Sequence, residues 1–355
     1  MRILFVCGKL YASGGENVMR AVVKGVKARG IPQMIALRIP EHYTEYEGVP
    51  IVDCAGDYRD RINKLKRIID EYAIDMVVSF GFPFNLDCSI LKLLRKNIKV
   101  ILCERQDPAT VKRSIDKKVA KRLLYPLADG YVVQTNLTKD FYLKHYTKNN
   151  SAVCVIPNPV RYDKPEKVQT QRKKKISTVG RYENSQKNHT LLIEAFLEVL
   201  KTYPDYQLCL YGDGPDRKMY QELIQGCGID ANVHLMGYSQ NPLVDISDSE
   251  IFVLPSNHEG MPNALIEAMS IGLPCIATDC GGGGARDLIK NDYNGILIKK
   301  NDRDLLARSL IMLIGDKEKQ EIIGNNAYGI NNTLNLDVII ERWCQFFTLV
   351  SRERK

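Results

Sequence analysis

The 355-residue sequence lacks three features that would place it in large classes of proteins. No apolar run approaches the roughly 18 residues that a membrane-spanning helix needs. The ten cysteines include no CxxC pair, which favours buried free thiols in a reducing cytosol over a zinc or disulfide framework. The GxGxxG spacing is absent, which argues against a dinucleotide oxidoreductase. The opening segment MRILFVCG is too short for a secretory signal and indicates a first core strand.

Charge is distributed unevenly along the chain. The net charge is +8, but residues 1–175 hold 33 basic against 18 acidic residues, whereas residues 176–355 hold 17 against 24. The basic first half predicts an encounter with an anionic surface. No feature points to nucleic acid.

Aliphatic strands and amphipathic helices alternate in both halves, which is typical of doubly wound parallel sheets. Prolines and a charge run interrupt the pattern over 161–175. We therefore expect an α/β protein with a Rossmann-like domain at 1–160, a linker at 161–175, and a second Rossmann-like domain at 176–336. An amphipathic helix at 337–355 carries the only tryptophan, Trp343. Two αβα domains joined by a linker are expected to face each other across a ligand cleft.

The most informative segment runs from Leu254 to Gly284. An apolar strand at 251–254 ends at Pro255, and a helix follows Pro262, with Asn263 as its expected cap. The start of that helix is an anion site, because its N–H groups and dipole favour negative charge. Glu259 on the preceding loop and Glu267 one turn into the helix could each meet a sugar ring. The alternative is that both glutamates are simply solvated.

Polar residues follow several other strands. Arg181 and Lys187 are placed to hold a diphosphate, although a solvated basic loop would look the same. Tyr238 offers a ring for a base. Gly14 and Gly15 allow a ligand close to a helix start, or only make a tight turn. Glu104 and Arg105 point toward the cleft, or form local ion pairs.

A basic helix is predicted over 111–124. Val111, Ile115, Val119 and Leu123 form its apolar stripe, and the remaining positions include Lys112, Arg113, Lys117, Lys118, Lys121 and Arg122. Such a helix could lie on an anionic leaflet or receive a lipid-diphosphate acceptor. It could equally be an ordinary surface helix packed on the sheet.

The sequence offers one DxD motif, at Asp302-Arg303-Asp304. It leads into a helix, so capping is the favoured interpretation over metal binding. We therefore expect no metal, with Arg181 and Lys187 neutralising a leaving diphosphate.

Several motifs together resemble retaining GT-B glycosyltransferases of family four, of the kind that assemble bacterial capsule, exopolysaccharide and O-antigen. They are SGG at 13–15, IPNPV at 156–160, VGRYENSQKN at 179–188, YGDGPDR at 211–217 and EGMPNALIEAMSIGLP at 259–274. The resemblance implies that the C-terminal helix crosses back onto the first domain. Many relatives place a histidine where this chain has Arg105, next to the donor sugar.

The same resemblance implies roles for individual residues. Arg181 and Lys187 would hold the nucleotide diphosphate, Glu267 the ribose and Glu259 the transferred sugar, with Glu259, Arg181 and Lys187 as the catalytic set. Gly14 and Gly15 would approach the diphosphate or the acceptor. The expected binding loop and helix start comprise His258, Gly260, Met261, Pro262, Asn263, Ala264 and Leu265.

We thus expect a cytoplasmic, metal-independent retaining hexosyltransferase, peripheral on the inner face of the cell membrane. It would use a nucleotide sugar, UDP-linked, as a substrate and not as a cofactor, and transfer a hexose or N-acetylhexosamine to a glycan or polyprenyl-diphosphate-linked acceptor. A glycoside hydrolase using Glu259 and Glu267 as acid and base is one alternative. A non-catalytic sugar-nucleotide-binding module is another.

Overall fold

The computed structural model describes residues 1–10, 14–39, 44–105, 107, 114–147, 151–160 and 172–352, with the backbone alone for residues 14 and 15. The chain divides into two compact units. One consists of Met1–Tyr162 together with Leu336–Lys355, and the other of Asp163–Asn335. The predicted linker lies outside the described residues up to residue 171.

A mainly parallel sheet forms the centre of the first unit. In chain order its strands are β1 (Ile3–Cys7), β2 (Gln33–Leu37), β3 (Glu45–Tyr46), β4 (Val49–Asp53), β5 (Met76–Phe80), β6 (Lys99–Cys103), β7 (Gly130–Val133) and β8 (Ala152–Val155). Over the described residues they lie in the order β3-β4-β2-β1-β5-β6-β7-β8, and β3 pairs antiparallel with β4. β1, β2 and β5 are buried along their whole length, as aliphatic runs covered on both faces should be.

Helices connect these strands. They are α1 (Gly14–Ala28), α2 (Tyr58–Glu71), α3 (Phe82–Leu94), α4 (Ile115–Leu124) and α5 (Asn136–His145). The helix expected over 111–124 begins at Ile115, because Ser114 takes the extended backbone of a helix-capping position. Residues 111–113 of that prediction lie outside the described residues.

The second unit has its own parallel sheet. Its strands are β9 (Lys173–Val179), β10 (Gln207–Tyr211), β11 (Val233–Gly237), β12 (Ser249–Leu254), β13 (Cys275–Asp279) and β14 (Ile296–Lys299). Within the described part of the chain their order is β11-β10-β9-β12-β13-β14. β9 begins at Lys173, so the last three residues of the expected linker belong to the sheet. Lys173 and Lys175 are tolerated there because both pair with Asp248.

Helices of the second unit alternate with these strands. They are α6 (Asn184–Lys187), α7 (His189–Thr202), α8 (Arg217–Gly226), α9 (Pro242–Ile246), α10 (Asn263–Ser270), α11 (Gly284–Leu288), α12 (Arg303–Gly315), α13 (Lys317–Tyr328) and α14 (Ile330–Thr333). Asp302 caps α12, since its Oδ1 accepts from the Leu305 N–H at 2.9 Å. The capping interpretation of the DxD motif is therefore confirmed for Asp302.

The final helix, α15 (Leu336–Arg352), packs into the first unit. Trp343 is buried and stacks on Phe80 with ring centroids 5.8 Å apart. Gly25 on α1 permits the close approach, because a Cβ there would lie 2.4 Å from Ile340. The predicted return of the C-terminal helix to the first unit is confirmed, as is the architecture of two Rossmann-like α/β units. No helix among the described residues has the length and apolar character to cross a bilayer.

Candidate functional site

Two glycine contacts lock the loops that follow β9 and β10 together. Gly212 has a φ of +141°, and a Cβ there would lie 1.9 Å from the carbonyl oxygen of Gly180. Gly214 packs against the Tyr182 carbonyl, whose oxygen would lie 2.5 Å from an added Cβ. Because no larger residue fits, these glycines hold the segment that carries Arg181 and Lys187 against the carboxyl end of β10.

Lys187 and Glu259 form the electrostatic centre of the second unit's site. The Lys187 Nζ lies 2.6 Å from Oε1 of Glu259, and the Ser256 hydroxyl donates to the same oxygen at 2.7 Å. Glu259 is only 8% exposed. The Lys187 stem lies against Gly180, where an added Cβ would come within 3.2 Å of it. The structure therefore brings together two of the three residues predicted to be catalytic.

The third predicted catalytic residue, Arg181, takes a different position. Its side chain is 67% exposed and its guanidinium lies 3.4 Å from Glu183. An exposed ion pair of this kind contributes little stability, so the guanidinium can exchange Glu183 for another anion at small cost. Its role toward a diphosphate stays a prediction.

The loop that carries Glu259 rests on a glycine run that follows β13. The Glu259 N–H donates to the Gly281 carbonyl at 3.2 Å, and His258 forms a parallel bridge with Gly281. Gly284 lies under Gly260, whose carbonyl oxygen would be 2.0 Å from an added Cβ. The glycine run therefore fixes the position of the loop that carries Glu259, a function that the sequence analysis did not assign to it.

The loop also joins the segment that carries Lys187. The Asn257 N–H donates to the Gln186 carbonyl at 2.7 Å. Ser256 is held in turn, because the hydroxyl of Thr278 donates to its carbonyl. Lys187 and Glu259 are thus held by backbone contacts as well as by their own ion pair.

The start of α10 differs from the prediction in one respect. Pro262, not Asn263, occupies the capping position, with extended backbone at φ −78° and ψ 103°, and Asn263 is the first helical residue. Proline has no side-chain acceptor, so it cannot cap the first-turn N–H groups as serine or aspartate would. A helix start of this kind favours an anionic ligand.

The remaining residues predicted around α10 divide by exposure. Met261, Pro262 and Leu265 are buried, while His258, Gly260, Asn263, Ala264 and Glu267 are partly exposed. Leu265 is fully buried, and its predicted contact with a ligand stays a prediction. Tyr238, just beyond β11, is 81% exposed, so its ring remains open to a stacking partner.

The acidic residue predicted at the carboxyl edge of the first sheet is buried. Glu104 is 2% exposed, and its Oε2 accepts from the Lys121 ammonium at 2.9 Å and from the Tyr142 hydroxyl at 2.7 Å. Burial raises the pKa of Tyr142 well above its usual value, so the hydroxyl remains a donor. The structure thus shows the local ion pair that the sequence left open as the alternative for Glu104, and a contact of its carboxylate with a ligand stays a prediction.

Arg105 lies beside a polar cluster at the same edge. Its Nη2 donates to Oδ1 of Asn158 at 2.6 Å, and its guanidinium lies over the Phe80 ring at 5.9 Å. Burial lowers the pKa of Arg105 to about 10, so it remains a cation at neutral pH. Gly14 and Gly15 open α1 after β1, and Ser13 of the same motif lies outside the described residues.

Known proteins resemble this chain in sequence and in fold. Residues 161–329 match the family model "Glycosyl transferases group 1". An uncharacterised glycosyltransferase from Methanocaldococcus jannaschii is 29% identical, over 80% of this chain and 81% of that protein. An α-1,4-N-acetyl-D-galactosaminyltransferase from Campylobacter jejuni, named for a diphospho-undecaprenol-linked GalNAc-GalNAc-diNAcBac acceptor, is 23% identical over 99% of both chains.

A solved structure extends the comparison to the whole fold. The crystal structure of Anabaena HepE in complex with UDP superposes with a TM-score of 0.83, at 17% identity, over 98% of this chain and 100% of that one. The chain has the GT-B fold.

The matched family model and relatives give no support to the hydrolase, oxidoreductase or non-catalytic alternatives. Sequence reasoning missed Ser256, which follows Pro255 at the end of an apolar strand and therefore looked like part of the strand's terminator. The signal that could have found Gly281 and Gly284 was the run of four glycines directly after a buried strand, since such runs mark close backbone approach.

Proposed function

We propose that this protein is a retaining, metal-independent hexosyltransferase. It moves a hexose or N-acetylhexosamine from a UDP-sugar to a saccharide acceptor carried on a polyprenyl diphosphate, during assembly of a surface polysaccharide. The nucleotide sugar is a substrate, and no cofactor takes part.

One observation carries the donor assignment. Lys187, Glu259 and Ser256 form a connected cluster. Glu259 stands three residues before Pro262, which opens α10 without a side-chain cap. A cation and a helix start provide for the diphosphate, and a carboxylate provides for sugar hydroxyls. When the donor binds, the Lys187 ammonium gives up its ion pair with Glu259 and pairs with a phosphate oxygen instead. The Ser256 hydroxyl continues to orient the Glu259 carboxylate.

Front-face transfer is the reaction that this cluster supports. The acceptor hydroxyl attacks the anomeric carbon from the side on which the diphosphate leaves. A new C–O bond replaces the C–O bond to phosphate, and the acceptor's proton passes to a departing phosphate oxygen. Lys187, Arg181 and the α10 N–H groups stabilise the charge that develops on the leaving group. The α linkage named for the Campylobacter relative supports retention, because common UDP-hexoses are themselves α-linked.

Metal independence is supported by the use that the structure makes of its one DxD motif. Asp302 caps α12, and Asp304 lies 2.7 Å from the Arg303 guanidinium. Both carboxylates are thus engaged in local structure. Lys187 and Arg181 supply the positive charge that a divalent ion would otherwise bring to the diphosphate.

The acceptor class is proposed from the diphospho-undecaprenol acceptor named for the Campylobacter relative. An acceptor of that kind requires work at a membrane surface, and the basic first half of the chain suits the anionic inner leaflet. We therefore propose a cytoplasmic enzyme that binds the membrane peripherally through the basic helix α4.

A donor panel with product analysis tests the proposal. UDP release would be measured for each UDP-sugar with and without a diphospholipid-linked saccharide, and the anomeric configuration of the product would be read by NMR. We expect acceptor-dependent UDP release and an α-linked product. A β-linked product would refute retention. Release that the acceptor does not stimulate would refute transfer.

A further inference from the structure

The basic helix α4 is attached to the first unit by its lysine. Lys121 is 3% exposed, and its ammonium lies 2.9 Å from Oε2 of Glu104. The sequence analysis counted Lys121 among the basic positions outside the apolar stripe, and the structure shows that this lysine, unlike its neighbours Lys117 and Lys118, is buried. The buried carboxylate after β6 draws the lysine inward, because a buried charge requires a partner of opposite sign.

Three tyrosine rings surround the same ammonium. The Lys121 Nζ lies 4.8 Å from the ring centroid of Tyr125, 5.1 Å from that of Tyr142 and 4.9 Å from that of Tyr146. Tyr142 also donates to Glu104. Cation–π contacts in a desolvated site add to the ion pair, so α4 is held firmly in one orientation.

That orientation turns the apolar stripe of α4 outward. Ile115 is 80% exposed, Val119 is 51% exposed and Leu123 is 68% exposed. Residues spaced by four lie on one helix face, so the three side chains form a continuous stripe in solvent. An amphipathic helix normally buries such a stripe against the core. Packing on the sheet, the alternative left open by the sequence, is therefore excluded for these positions.

The charged residues of α4 indicate which kind of surface covers its apolar stripe. Lys117, Lys118 and Arg122 are exposed on the same ten-residue helix, which carries one acidic residue, Asp116. Cations beside exposed aliphatic side chains match a surface that is apolar inside and anionic at its boundary. A lipid leaflet with anionic headgroups has both properties.

We propose that α4 inserts its Ile115–Val119–Leu123 stripe into the headgroup–acyl boundary of an anionic leaflet, with Lys117, Lys118 and Arg122 on lipid phosphates. The inference deepens the proposed function by specifying the membrane-binding surface. Lys121 is a positioning residue, because it ties the inserted helix to Glu104 at the carboxyl end of β6. The membrane contact is thereby joined rigidly to the edge of the sheet that carries Arg105.

Vesicle flotation tests the proposal with the full chain. Vesicles of phosphatidylcholine alone would be compared with vesicles containing phosphatidylglycerol. The first variant is Ile115→Ser with Val119→Ser and Leu123→Ser, and the second is Lys117→Gln with Lys118→Gln and Arg122→Gln. The matched control is Leu137→Ser with Leu143→Ser, which removes two half-exposed leucines from α5 in the same unit.

We expect the parent and the α5 control to float with anionic vesicles and not with neutral ones. The charge variant should bind about 100-fold more weakly, since each cation near such a surface contributes about fivefold. The stripe variant should bind at least about tenfold more weakly. Each variant should retain the parent's thermal unfolding temperature and its acceptor-dependent UDP release when the acceptor is supplied in detergent micelles instead of vesicles.

Three results would overturn the proposal. Undiminished flotation of the stripe variant is the first, and equal binding of the parent to neutral vesicles is the second. The third is concentration-dependent self-association that the stripe variant abolishes, because it would assign the stripe to a second copy of the chain. A parent protein that showed no acceptor-dependent UDP release would instead contradict the proposed function while leaving the lipid result intact.

Lys121→Met examines the positioning role separately. This variant leaves Glu104 buried without its cation, and Glu104→Gln combined with Lys121→Met restores electrical neutrality. We expect Lys121→Met alone to weaken anionic-vesicle binding without removing any surface charge, and the double variant to recover it. Equal binding by all three proteins would refute the coupling.

Discussion

The Lys187 ammonium lies 2.6 Å from Oε1 of Glu259, although 72 residues separate them along the chain. In the absence of a ligand each charge neutralises the other. A diphosphate that pairs with the Lys187 ammonium also frees the Glu259 carboxylate to bind the sugar. One exchange of ion-pair partners therefore prepares the diphosphate site and the sugar site together.

Removing either member of this pair should lower turnover strongly. We expect Lys187→Met and Glu259→Gln each to reduce kcat/KM for the UDP-sugar about 100-fold or more, by analogy with the loss of an electrostatic donor. Steady-state UDP release measures this decrease in kcat/KM. Lys201→Met is the control, since Lys201 forms an exposed pair with Glu198 at the far end of α7. Near-normal rates in both variants would disprove the assignment.

The Ser256 hydroxyl should act through Glu259 and not independently. Ser256→Ala removes the 2.7 Å hydrogen bond to Oε1, and we expect kcat/KM to fall about tenfold, as for a lost hydrogen bond to a charged group. Ser256→Thr keeps the hydroxyl and should recover part of the rate.

A double-mutant cycle distinguishes positioning from general damage. In a Glu259→Gln background, Ser256→Ala should cost little further activity, because coupled residues are non-additive. If the two losses multiplied instead, Ser256 would act independently of Glu259.

Chelation should leave the reaction unchanged. If Lys187 and Arg181 neutralise the diphosphate, dialysis against EDTA followed by assay in metal-free buffer should preserve kcat. The Lys187→Met variant provides the comparison, because added Mg²⁺ or Mn²⁺ should not restore its rate. A parent enzyme that lost activity on chelation and regained it with a divalent ion would contradict this expectation.

Acid should destabilise the second unit through His189. Burial, helped by the nearby Lys187 charge, lowers the pKa of His189 from 6.5 to about 3. Between those values the unfolded chain binds a proton that the folded chain does not, so the free energy of unfolding decreases as pH falls. One such proton contributes a slope of about 1.4 kcal/mol per pH unit.

Denaturant unfolding of the full chain at several pH values between 4 and 7 would measure this slope. His189→Gln should lower the slope of the second unit's free energy of unfolding against pH, on the acid side, by the contribution of about one proton. His145→Gln is the control, because His145 is exposed on α5. Parallel profiles for the parent and His189→Gln would remove His189 as the cause.

The sequence predicted best where local pattern and environment agree. The strand expected at 251–254 is the end of β12 (Ser249–Leu254), and a helix does follow Pro262. An aliphatic run and a proline constrain the backbone whatever surrounds them. The identity of the cap was wrong, because the backbone of Pro262 already takes the extended geometry that was expected of Asn263.

Contacts between distant segments could not be predicted in the same way. Lys121 looks solvated on a helical projection, and only the fold places Glu104 beneath it. Ser256 has a role that depends on how two loops pass each other, which no local spacing encodes. The basic helix was found from its periodicity, but the direction of its apolar stripe depends on that single buried partner.

The placement of α15 has a consequence for biosynthesis. The first unit includes residues 336–352, which the ribosome makes only after all of the second unit. Until then the surfaces that receive Trp343, Phe346 and Phe347 are uncovered. The first unit therefore cannot reach its final packing during synthesis until the whole sequence of the second unit has been made.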